Sequence, residues 1–132
     1  MEFKDTGTED FRKRMVLAVC YAGSDRSKYI REELDNRGYI ASNGGVLKNH
    51  NYVTEDDLAN IGSLIFSSKY EQIEFNKDKN LKNTVERNGI DVYVMDITES
   101  EKERAIGSNS LDNLKSKISE QLDNLGFQNL QD

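Results

Sequence analysis

The chain has 132 residues, enough for one domain with its own hydrophobic core. Charged residues make up 32%, hydrophobic residues 36%, and the net charge is -6, so no broad basic surface exists to displace counterions from a nucleic acid, and none is expected to bind. A single Cys excludes an internal disulfide and any multi-cysteine zinc site, and a single His leaves almost no ligands for a mixed one.

Residues 1 to 14 read as a polar N-terminal extension, from which Phe3 and Phe11 could dock on the domain that follows (15–132). They contain no apolar run, so a signal peptide is not expected. No stretch approaches the length of a membrane span, and a cytoplasmic, reducing setting is the expectation. Met15 to Cys20 (MVLAVC) is a continuous apolar run, the pattern of a central strand buried on both faces. Tyr21 to Asp25 interrupts it with small and turn-forming residues. Ser27 to Arg37 follows as a helix, with Ile30 and Leu34 facing the sheet and Gly38 as the stop.

Tyr39 to Ser42 predicts a second strand, closed by Asn43-Gly44-Gly45. Thr54 is a helix N-cap followed by acids in the first turn, and that helix is expected to reach about Ile61. Ser63 to Ser67 predicts a third strand, residues 69 to 76 a short helix, and Leu81 to Asn88 another. Ile90 to Met95 predicts a fourth strand, and 96 to 110 an acidic connection. Leu111, Leu114, Ile118, Leu122 and Leu125 form a helical stripe that ends at Gly126. Strands alternating with helices predict an α/β three-layer sandwich with a four-stranded parallel sheet in the flavodoxin-like order 2-1-3-4. Ligands in such sheets bind at the carboxyl ends of the strands, beside the switch point, and Cys20 sits there.

Cys20-Tyr21-Ala22-Gly23-Ser24-Asp25-Arg26-Ser27 is the segment that carries chemistry. Backbone N–H groups of a tight loop, together with a helix N-terminus, make a cradle for a tetrahedral anion. Gly23 lets the backbone close that curve. Arg26 can grip two anion oxygens at once, and the same positive field favours the Cys20 thiolate. The Ser27 hydroxyl can hydrogen-bond the thiolate. Nucleophilic attack on phosphorus needs these parts.

The loop resembles the phosphate-binding loop of low-molecular-weight protein tyrosine phosphatases: Cys, five residues, Arg, then Ser, directly after the first strand and opening the first helix. The likeness is carried by residues 15 to 38. Over 39 to 126 it extends only to element order and local echoes, among them Ser42-Asn-Gly-Gly45, read as a turn after strand 2, and Val92-Tyr-Val-Met-Asp96 at the end of strand 4. From one Cys, Arg at this offset followed by Ser arises by chance in fewer than ~1% of cases at average residue usage. The resemblance implies a metal-independent phosphomonoester hydrolase that works through a phosphocysteine, without a cofactor. Cys20 would be its nucleophile, Arg26 its oxyanion ligand and Asp96 its general acid, with residues 21 to 27 holding the phosphate. The implied substrate is a phosphorylated protein, phosphotyrosine above all, or a small phosphomonoester.

The chain departs from the family pattern in places. Ala22 and Gly23 stand where the family has Gly and Asn. Asp25 precedes the arginine and either opposes a phosphate dianion or turns outward to cap the helix. Asp96 is followed by Ile97 rather than Pro, so Asp91, Glu99 and Glu101 are alternative acids. Competing readings are plainer: a structural buried thiol at Cys20, a surface arginine at Arg26, a helix-start serine at Ser27 and a strand-end cap at Asp96. Glu99, Glu101 and Glu103 read as a solvated face, and His50 as an exposed loop residue. Tyr21 either lines the mouth of a pocket or packs on the first helix.

Three other functions fit the same loop. The IIB subunits of sugar phosphotransferase systems carry phosphate on a Cys after strand 1, with Gly three positions on as at Gly23, but generally without the arginine. Arsenate reductase of the thioredoxin-coupled kind needs further cysteines, leaving only a version that uses an external thiol. A phosphate-binding module that has lost turnover is the third.

Overall fold

The computed structural model describes residues 11–23, 26–97 and 110–130. Among them the chain runs β1 (Met15–Cys20), α1 (Arg26–Asn36), β2 (Ile40–Gly45), α2 (Glu55–Leu58), β3 (Ser63–Phe66), α3 (Lys69–Asn76), α4 (Lys79–Arg87), β4 (Asp91–Val94) and α5 (Ser110–Leu125). The four strands form one parallel sheet in the order 2-1-3-4, the expected α/β arrangement.

Burial explains which strands look apolar in the sequence. The central strands β1 and β3 are covered on both faces. Val16, Ala18 and Ile65 face α1 and α5, where they meet Ile30, Leu34, Leu114, Ile118 and Leu122. Leu17, Val19, Leu64 and Phe66 face the opposite layer and meet Leu58, Phe75, Leu81 and Val85 of α2, α3 and α4. Successive side chains of a strand point to opposite faces, so each run must be apolar throughout to serve both cores. The edge strands β2 and β4 keep solvent-facing positions and read as mixed.

Two elements differ from the sequence expectation. β2 runs on through Asn43, Gly44 and Gly45, which pair with Ala18, Val19 and Cys20 instead of turning. α2 is a single turn and stops at Leu58, short of Ile61. Thr54 and Asp57 form its capping box, but Ile61 is buried and the Gly62 N–H is already committed to the Met15 carbonyl (2.9 Å), which starts β3. Of the extension, residues 11–14 dock through Arg12: its guanidinium donates to the Ile61 carbonyl (3.1 Å) and to that of Asn88. Phe11 stays 57% exposed, and Phe3 lies outside the described residues.

Gly38 follows α1 at φ 98°, the left-handed conformation its sequence position suggested. Arg37, beside it, is buried and bonds Glu33, Asp123, Ser119 and the Phe127 carbonyl, which fastens α1 to α5. Among the described residues no helix is long and apolar enough to cross a membrane.

Candidate active site

Cys20 ends β1 and is 1% exposed. Its Sγ lies 3.2 Å from the Oγ of Ser27, the buried second residue of α1. The thiol donates in this pair; on ionisation the direction reverses and the hydroxyl donates to the thiolate. This juxtaposition follows from the topology, since the strand delivers the sulfur and the helix that packs back on it delivers the hydroxyl.

Between them the chain folds over the end of β2. The Tyr21 carbonyl accepts the N–H groups of Val46 (2.8 Å) and Leu47 (2.9 Å). The Gly23 carbonyl accepts the side-chain amide of Asn43 (2.6 Å) and that of Asn51 (3.3 Å), which also reaches the Ala22 carbonyl (3.4 Å). Because a trans peptide unit points its C=O and N–H in opposite directions, tying these carbonyls toward β2 turns the N–H groups of Ala22 and Gly23 to the other side of the loop. Gly23 sits at φ 71°, and a Cβ there would lie 2.6 Å from the Gly44 carbonyl carbon. A Cβ on Gly45 would meet the Ala22 carbonyl carbon at the same 2.6 Å. The glycines of β2 are thus the floor on which the loop lies.

Asn51 itself is held by the chain around it. Its carbonyl accepts the Gly45 N–H (2.8 Å), and the next residue, Tyr52, donates its hydroxyl to Asp78 (2.8 Å). Burial and this bond push the Tyr52 hydroxyl up to about 12. The same bond, with help from the Asn80 and Leu81 N–H groups that Asp78 caps, holds the Asp78 carboxyl below the usual range.

Arg26 opens α1. One terminal nitrogen donates to the Ile97 carbonyl (3.0 Å) and the other to Glu71 (3.2 Å). Glu71 is 2% exposed, and its second oxygen accepts the hydroxyls of Ser67 (3.0 Å) and Ser68. A guanidinium has five N–H groups. Among the described residues two of them are committed, one to each acceptor.

The structure brings Cys20 and Ser27 together; Arg26 precedes Ser27 at the opening of α1, with its guanidinium on Ile97 and Glu71. Ser24 and Asp25 lie outside the described residues, as do Glu99, Glu101 and Glu103. Asp96 is exposed at the carboxyl end of the sheet, one residue before the carbonyl that Arg26 holds. Its backbone is fixed by Gln121, which accepts from its N–H (2.7 Å) and donates to its carbonyl (3.2 Å). Asp91 is placed differently from the expectation that it could replace Asp96. It begins β4 opposite Ser63, at the amino end of the sheet, in a cleft of about 460 Å³ that also contains Lys13 and Arg14. The strand separates it from the loop, so it cannot act there.

Tyr21 is 41% exposed, and its ring lies 6.2 Å from that of Tyr70 on α3, itself 53% exposed. His50 is exposed, as the sequence suggested.

Sequence reasoning missed Asn43, Asn51 and Glu71. The two asparagines look like loop residues and carry no distinguishing signal. Glu71 did carry one: it lies four residues before the buried Phe75, so a carboxylate occupies the inward face of α3.

No protein-family model matches the chain, and no curated protein and no solved structure matches it.

Two outcomes follow from the loop geometry. Gly23→Ala adds a left-handed strain of about 1 kcal/mol or more to a backbone clash, so the melting temperature falls and any stabilisation by inorganic phosphate is lost. Tyr52→Phe costs about 1 kcal/mol at neutral pH, measured by urea unfolding. Because the Asp78 carboxyl is depressed in the folded state, that difference is full above the ordinary carboxylate range. It disappears as pH falls through the depressed value.

Proposed function

We propose that the chain is a cysteine-dependent phosphomonoester hydrolase of the low-molecular-weight tyrosine phosphatase kind. The observation that carries this reading is the meeting of Cys20 with Ser27 at 3.2 Å, with Arg26 the first residue of the same helix. A purely structural thiol needs neither the hydroxyl nor the oriented cation. The reading also accounts for the tied carbonyls of Tyr21 and Ala22, since that arrangement leaves the Ala22 and Gly23 N–H groups for an anion.

In this account the phosphoryl group enters the loop with its three non-bridging oxygens on the Ala22 and Gly23 N–H groups and on Arg26. The Cys20 thiolate attacks phosphorus, an S–P bond forms, and the bond to the leaving oxygen breaks. Asp96 gives that oxygen its proton; its support is its place beside Ile97, whose carbonyl Arg26 holds. The amides and the guanidinium stabilise the charge that builds on the equatorial oxygens. Asp96 then takes a proton from water, the water oxygen attacks phosphorus, and the S–P bond breaks. Ser27 donates to the departing thiolate. Inorganic phosphate and the original thiolate result. The chemistry requires no metal.

Tyr21 and Tyr70 stand at the edge of the loop and suit an aromatic leaving group. A phosphorylated protein or a small aryl phosphate is the substrate class proposed, in a cytoplasmic setting that keeps Cys20 reduced. A IIB-like phosphocarrier accounts less well for Arg26, whose orientation is built by two other elements.

The test is release of p-nitrophenol from p-nitrophenyl phosphate, with chelator present. Wild type turns over. Cys20→Ser abolishes turnover, and Arg26→Lys reduces kcat by about a hundredfold or more, as loss of a preorganised oxyanion donor does elsewhere. A wild type that is inert yet stabilised by phosphate is an anion-binding or phosphocarrier domain instead.

A further inference from the structure

The carboxylate of Glu71 is an expensive feature to bury. A Glu on the inward face of a helix is usually a solvent residue out of place, and an ionised carboxylate away from water persists only when it is paired and hydrogen-bonded. Here the pairing is complete. One oxygen takes the Arg26 guanidinium at 3.2 Å, and the other takes the hydroxyls of Ser67 and Ser68. Both serines leave the carboxyl end of β3, beside the end of β1. The Ser67 N–H is itself bonded to the Val19 carbonyl (2.8 Å), so the platform under Glu71 is fixed to the strand that carries Cys20.

The second anchor of Arg26, the Ile97 carbonyl, lies on the exit of β4 (3.0 Å). Two acceptors, one on α3 and one on the exit of β4, set both the position and the plane of the guanidinium. An arginine side chain has many rotamers, and a cation that must be re-oriented during reaction loses much of its value to the transition state. We propose that Glu71 is a positioning residue: it holds Arg26 in the plane from which its remaining N–H groups grip the phosphoryl oxygens. This inference rests on the hydrolase reading.

Glu71 touches no substrate in this role. Its removal therefore acts through Arg26 and is felt where the guanidinium matters most, on the trigonal-bipyramidal phosphoryl group rather than on the bound ester. The isosteric Glu71→Gln keeps the serine contacts and removes the charge.

The experiment measures kcat and KM for p-nitrophenyl phosphate in wild type, Glu71→Gln, Arg26→Lys and the double variant, with Glu74→Gln as a control. Glu74 is on the same helix and, among the described residues, forms an ion pair with the exposed Lys77 at 2.7 Å. The expected result is a kcat lowered about tenfold or more in Glu71→Gln with KM within about threefold of wild type, the split that marks a transition-state interaction. The double variant is then no slower than Arg26→Lys alone, because the carboxylate has no other route to the reaction. Unchanged kcat in Glu71→Gln, or losses that multiply in the double variant, overturns the inference and leaves the hydrolase reading standing. If wild type itself is inert, the hydrolase reading fails. The rise in melting temperature with inorganic phosphate then decides: it shrinks in Glu71→Gln if Glu71 positions Arg26, and an equal or absent rise overturns the inference. Should Glu71→Gln not fold, Ser68→Ala loosens the carboxylate without removing its charge. A few-fold lower kcat supports the role, and wild-type kcat contradicts it.

Discussion

The confinement of β1 governs this molecule. Its side chains are buried on both faces, and its edges are occupied by β2 and β3 along nearly its whole length. A strand so enclosed can release the chain in only one direction at its carboxyl end, up and back toward α1. The last residue before that turn is Cys20. The sulfur is therefore placed by the sheet, and the position of the loop follows from the two strands beside it. β2 provides glycines low enough for the loop to lie across and an asparagine to hold it down. β3 provides the serines that support Glu71.

Charge is arranged with the same economy. The chain is acidic overall, yet Arg26 is brought to the end of the sheet and locked by one buried carboxylate and one carbonyl. A surface ion pair would gain little and would leave the arginine mobile. Burial raises the cost of the pair but fixes its geometry, and for the proposed role of meeting charge that develops on phosphorus, geometry matters more than net stability. The strand exits β3 and β4 thus converge on Arg26, while the exit of β2 converges on Ala22 and Gly23.

Much of this was legible in the sequence, for identifiable reasons. β1, β3 and α5 announce themselves because a twice-buried strand and a core-facing helix require uninterrupted or regularly spaced apolar residues. The Cys20–Arg26–Ser27 spacing was visible because loop chemistry is local in the chain. What was not legible depends on contacts distant in sequence. Asn43-Gly44-Gly45 has turn composition, but pairing with β1 keeps it extended, and its glycines serve close approach rather than reversal. α2 ends early because the start of β3 is set by a bond to Met15. Asp91 and Asp96 are five positions apart and look interchangeable, yet a strand carries them to opposite ends of the sheet. Glu71 lies 45 residues from the arginine it holds, so nothing local marks the pair beyond its place four residues before Phe75.

The central claim is that the sulfur of Cys20 receives a phosphoryl group and passes it to water. Rapid acid quench of the protein turning over p-nitrophenyl phosphate, followed by peptide mass spectrometry, tests that claim directly. The account predicts one phosphoryl group on the peptide containing Cys20, absent in Cys20→Ser, decaying to inorganic phosphate as fast as the enzyme turns over. Turnover with the phosphoryl group on another residue, or with no phosphorylated protein at any quench time and unaltered rate in Cys20→Ser, would contradict it.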